Sequence, residues 1–224
     1  MSDLLNLDAL DADGAIHDTA EAAGLDRNDF LRRGALAGGG LLIGGAMFGS
    51  ILSPAEAAIS RKRSVKNDVK ILNYALTLEF LEAEFYKQAV ANQAYGNSAE
   101  LKTFAETVAK HEATHVTFLR NALKSAAIKK PKFDFGAAVT DQATFAATAE
   151  VLEDTGVSAY LGQVKNVFQP GVLSAAGTIA TVEARHAAWI RFINAKTPAP
   201  AAFDTPKSEK AILKAVTDTK FITG

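Results

Sequence analysis

From residue 65 onward, apolar residues recur at every third or fourth position, and no strand-like alternation of useful length interrupts them. The pattern predicts four long helices. The first covers residues 65–94, with Leu72, Leu76, Ala83 and Tyr86 along one face. Tyr95-Gly96-Asn97-Ser98 ends it and offers Asn97 or Ser98 as the next N-cap. The second covers 99–127 and stops before Lys129-Lys130-Pro131. A connection of about ten residues through Phe133, Phe135 and Gly136 leads to Thr140 as the third cap, and its Phe residues are expected to cover one bundle end. The third helix covers 141–168, interrupted by Gly156 and Gly162, and the fourth opens at Pro170 and runs to residue 196. A short amphipathic piece, 208–217, closes the chain. Four such helices in succession make an all-α four-helix bundle.

Charged residues on the apolar faces change this picture. Glu183 and His186 sit among Ile179, Val182, Ile190 and Ile193. Three apart on a helix, they point the same way, and burying both costs several kcal/mol unless something compensates. A metal ion would compensate. A second Glu-x-x-His, Glu112-Ala113-Thr114-His115, lies 71 residues earlier and is followed by Leu119-Arg120 as the other is by Ile190-Arg191. The first and third helices echo each other too: Leu78-Glu79 and Leu152-Glu153 each precede a tyrosine, Tyr86 or Tyr160, seven residues after the Glu. The chain reads as two copies of a helix pair. One Glu from each of two helices plus Glu-x-x-His from each of the other two is the donor set of a dinuclear carboxylate site. Glu82 and Glu84 compete with Glu79, and Glu82, one turn on, could stand beside the ligands. Glu150 competes with Glu153. His111 reads as a surface residue, Tyr86 and Tyr160 as core residues whose hydroxyls find partners, and Trp189 as packing.

Lys and Arg number 24 against 25 Asp and Glu, a net charge of −1 that gives no reason to expect a nucleic-acid partner. The absence of Cys excludes disulfides, thiolate catalysis and zinc–thiolate sites. The charge is uneven: residues 1–57 carry nine acidic and three basic groups. Residues 1–29 read as disordered. Arg32-Arg33 then precedes the uncharged stretch 34–52, and Ala55-Glu56-Ala57 has the small-residue pattern of a cleavage site. Basic, apolar, small is the order of an export signal. It resembles a twin-arginine signal, although the Arg pair follows Phe30-Leu31 instead of preceding it. The other reading is an uncleaved membrane anchor, since about 18 apolar residues can just span a bilayer.

Residues 66–196 resemble the ferritin-like superfamily, and Leu78-Glu79-Phe80-Leu81-Glu82-Ala83-Glu84-Phe85-Tyr86 and Glu183-Ala184-Arg185-His186 resemble phrases of its exported, desiccation-related group. The resemblance implies a ferritin-like bundle over residues 60–224 behind an export leader at 1–57. It also implies Glu79 and Glu153 as terminal carboxylates, Glu112 and Glu183 as bridging ones, and His115 and His186 as the nitrogen ligands of two iron or manganese ions. Four carboxylates match the charge of two divalent cations, and oxygen and imidazole donors suit these metals. The expected function is redox chemistry on dioxygen, peroxide or ferrous iron, as ferroxidase, peroxidase or catalase. The alternative is a non-catalytic stress or desiccation-related protein with structural metal or none. The expected location is the periplasm or cell envelope, with membrane contact only if the leader stays uncleaved, and a homodimer is the expected assembly.

Overall fold

The computed structural model describes residues 58–223, and their regular structure is helical. The helices are α1 (Val65–Ala91), α2 (Ala99–Leu123), α3 (Gln142–Gln163), α4 (Pro170–Ile193) and α5 (Glu209–Thr219). The expected all-α bundle with a short C-terminal helix is present. The export or anchor reading of residues 1–57 falls outside the described residues. No helix among the described residues is long and apolar enough to cross a membrane.

Each long helix stops short of its predicted end, and after α1, α2 and α4 the chain turns through left-handed backbone that apolar periodicity does not reveal. Gln93 (φ 55°) follows α1, Lys124 (φ 50°) follows α2 and Ala195 (φ 56°) follows α4. After α3 the chain tightens into a single 3-10 turn, Val164–Asn166. Ser98 caps α2 through the backbone N–H of Leu101. The cap of α3 is Asp141 and not Thr140: its carboxylate accepts from the Thr144 N–H at 2.8 Å.

The most extensive helix contacts join α1 to α2 and α3 to α4, so the two sequence repeats fold as two helical pairs. Residues 74–82 of α1 are all buried, which makes it the central helix. Below the charged layer, Phe85, Tyr86, Phe104 and Phe145 pack ring against ring. Phe135 and Phe133, from the long α2–α3 connection, stack on each other, and Phe135 contacts Phe85 and Phe221, closing this end as expected.

The two glycines of α3 do not interrupt it. Gly162 lies under the segment that leads to α5, where Lys207 N–H donates to Ser158 O at 3.0 Å. A Cβ at residue 162 would fall 1.8 Å from Lys207 O, so only glycine permits this crossing.

The pairs are locked at the α3–α4 turn by a side chain of α1. Gln169, the N-cap of α4, makes no side-chain cap hydrogen bond. Buried Asp68 instead accepts from the N–H groups of Phe168 and Gln169 at 2.8 and 2.9 Å, and from Gln169 Nε2 at 3.1 Å. Replacing Asp68 with Ala strands these donors. It should lower stability by about 1–3 kcal/mol and the melting temperature by several degrees, as calorimetry would read.

Candidate metal centre

Glu79 on α1, Glu112 and His115 on α2, Glu153 on α3 and Glu183 and His186 on α4 are all buried in the middle of the bundle. The structure brings all six sequence-predicted site residues together. The i,i+3 spacing turns each Glu-x-x-His pair inward, and the helix pairing sets one pair across from the other.

The pieces meet in a regular way. His115 Nδ1 lies 3.1 Å from Glu112 Oε2, 3.2 Å from Glu79 Oε2 and 3.1 Å from Glu183 Oε1. His186 Nδ1 lies 3.2 Å from Glu112 Oε1, 3.3 Å from Glu153 Oε2 and 3.7 Å from Glu183 Oε2. Glu112 and Glu183 therefore offer one oxygen to each histidine, while Glu79 and Glu153 each serve one. Two quartets result: Glu79, Glu112, His115 and Glu183, and Glu112, Glu153, Glu183 and His186, each with donor atoms within 4.8 Å of one another. Ligands about 2.1 Å from a common ion at octahedral angles are about 3 Å apart, which the spacing matches.

Hydrogen bonding does not account for the arrangement. Glu79 Oε2, Glu112 Oε1, Glu153 Oε2, both Glu183 oxygens and His186 Nδ1 are buried without a hydrogen-bond partner. A single imidazole N–H cannot satisfy three converging carboxylates. Orphaned buried acceptors on this scale are costly, and the donor set fits a pair of cations.

Tyrosines restrain the outer carboxylates, and they do so crosswise. Tyr86 of α1 donates to Glu153 Oε1 of α3, and Tyr160 of α3 donates to Glu79 Oε1 of α1. Burial first, and then the partner carboxylates, raise both phenols well above the usual range, so they stay protonated donors. The remaining oxygen of each Glu faces the site. Of the rival carboxylates, Glu150 pairs outside it with Asn194 and Lys196, and Glu84 pairs with Gln88 and Lys130.

Glu82 does belong to the cluster. A Cβ on Gly156 would lie 3.3 Å from Glu82 Oε1 and 3.5 Å from Glu183 Oε2, so Gly156 makes room for a fifth carboxylate. Burial, and then Glu183 and Glu153, raise the Glu82 carboxyl well above the usual carboxylate range.

His111 is exposed, as expected, yet it is tied to the site. Its Nδ1 lies 2.8 Å from His186 Nε2, and the rings stack with centroids 5.1 Å apart. Apolar periodicity cannot show this contact, because it joins two helices distant in sequence. Its one sequence signal is the histidine one turn before His115. Partial burial, with His186 and His115 nearby, lowers its imidazole below the usual range, as suits a neutral acceptor. His111 and Arg185 flank a cleft of about 420 Å³ between α2 and α4, lined also by Val182, Trp189 and the two site histidines. Trp189 packs edge-on to Phe104, in the packing role expected of it.

In the bare cluster, protonated imidazoles stand in for cations. Burial opposes charge on His186, but Glu112, Glu153 and Glu183 push it up to about 12, and His115 is raised in the same way. Burial would raise Glu183, yet the two imidazoles hold it down to about 2. Glu153, where burial prevails, rises to about 7. Metals bound there must displace protons from both imidazoles and, below pH 7, from Glu153. Binding should thus release protons and weaken as pH falls, by roughly tenfold per pH unit for each proton displaced. Isotherms on either side of pH 7 check this.

Residues 67–196 match the family model of the ferritin-like domain. No curated protein matches the chain.

Proposed function

The chain belongs to the ferritin-like domain family, and on that premise we propose that its cluster is a carboxylate-bridged dinuclear centre of iron or manganese with redox activity toward dioxygen, peroxide or ferrous iron. The observation that carries this reading is the sharing of Glu112 and Glu183 between two histidines whose Nδ1 atoms each meet three carboxylates. Glu79, Glu112, His115 and Glu183 would hold one ion; Glu112, Glu153, Glu183 and His186 the other. The bound ions would supply the electron couple that carboxylates and imidazoles lack.

The chain's own groups prepare the site for that role. Tyr86 and Tyr160 each hold one oxygen of Glu153 and Glu79 and leave the other for an ion. Glu82, whose carboxyl burial and the neighbouring carboxylates push well above the usual range, favours keeping its proton where it stands with Glu183 beside Gly156. The α2–α4 cleft gives a small oxidant a path to the histidines. With no Cys, the chain carries no thiolate-ligated electron carrier, so a peroxidase cycle would draw its electrons from another molecule. The likeness to exported, desiccation-related proteins and the order of basic, apolar and small residues through 32–57 support an exported protein of the periplasm or envelope.

Elemental analysis of the purified full chain should find about two equivalents of iron or manganese, lost in a Glu112→Ala/Glu183→Ala double variant. Ferrous ion added to metal-free protein should be oxidised faster by dioxygen or peroxide than in buffer or with the variant. No bound metal after refolding with either ion would sink the proposal. Binding without turnover would leave a structural metal in a non-catalytic stress or desiccation-related protein.

A further inference from the structure

The repeat relating the two helix pairs is broken at two places in or beside the site. The first pairs Glu82 with Gly156, 74 residues later, just as Glu79 pairs with Glu153 and Tyr86 with Tyr160. These counterparts face each other across α1 and α3, and one can be Glu because the other has no side chain. The second pairs His111 with Val182, 71 residues later, as Glu112 pairs with Glu183 and His115 with His186. His111 reaches from α2 to His186 on α4, whereas Val182 on α4 lines the cleft with His115 and offers no acceptor.

The consequence follows from imidazole chemistry. A neutral ring has one N–H and one lone pair. If Nδ1 gives its lone pair to an ion, Nε2 carries the hydrogen and needs an acceptor. His186 has one, His111 Nδ1 at 2.8 Å, and the rings lie 19° from parallel, so the ring plane is held as well. His115 makes its one hydrogen bond through Nδ1 and has no such partner for Nε2 among the described residues. Glu82 falls on the same side: it shares the space at Gly156 with Glu183 Oε2, the oxygen nearer His186.

We propose that His111 is a positioning residue that holds His186 with Nδ1 facing the carboxylates, so that the position bounded by Glu112, Glu153, Glu183 and His186 binds its ion more tightly than the position bounded by Glu79, Glu112, His115 and Glu183. This rests on the dinuclear reading above. An oriented partner on the distal nitrogen fixes the tautomer and makes the ligand more basic, and losing such a partner typically costs 10–100-fold in affinity.

The test is titration of the metal-free full chain with manganese(II), followed by the electron paramagnetic resonance of the free ion, and with cobalt(II), followed by its visible absorption. The parent should fill in two unequal steps. His111→Val should weaken the tighter step by roughly 10–100-fold and spare the weaker step. His111→Gln, whose amide oxygen can accept the same N–H, should recover part of the loss. Val182→His, which sets a histidine at the matching place beside His115, should tighten the weaker step. Superimposable isotherms for parent and His111→Val, or equal weakening of both steps, would overturn this inference and leave the dinuclear site standing. A parent that binds neither ion would overturn both.

Discussion

Five buried carboxylates and two buried imidazoles occupy the space between four helices, and their mutual electrostatics is the constraint on which the rest depends. Carboxylates this close cannot all be ionised without cations between them. In the bare protein the imidazoles supply positive charge, and some carboxyls keep their protons. Two divalent ions would supply it with better geometry, since each could satisfy several oxygens at once where one N–H satisfies one. Cations placed there would relieve this repulsion, which would link metal binding to protonation and to folding.

Such an interior has to be held rigidly, and the packing around it does that work symmetrically. Each tyrosine secures the glutamate of the opposite helix, so α1 and α3 are joined through the same two groups that keep Glu79 and Glu153 in place. An aromatic layer of Phe85, Phe104 and Phe145 lies directly against Tyr86 on one side. At the α3–α4 turn, Asp68 accepts from backbone groups that α4 cannot satisfy itself. Apart from Phe85 against Tyr86, these contacts are between elements and not within them, so they fix the relative placement of helices and with it the distances among donors.

The departures from symmetry are as informative as the repeat. Two copies of a helix pair would give two like halves. Gly156 opposite Glu82 and Val182 opposite His111 make the halves differ in charge and in the support given to each histidine.

The sequence by itself determined the helices, the six inward residues and the twofold repetition. The 3.6-residue periodicity gives the helices and places Glu112 with His115 and Glu183 with His186 whatever surrounds them; the repeat shows in the matching phrases, and the choice of Glu79 and Glu153 among their neighbours rests on the ferritin-like resemblance. Tertiary structure decided the rest: that Tyr86 and Tyr160 bond crosswise, that Glu82 joins the cluster, that His111 reaches His186, and that Gly162 passes beneath a returning strap. It also set the turns just after α1, α2 and α4, where left-handed backbone at Gln93, Lys124 and Ala195 redirects the chain without a glycine to mark the place. Each of these depends on which helix face meets which across space. A linear pattern records the side of its own helix that a residue faces, but not the group that waits on the other side.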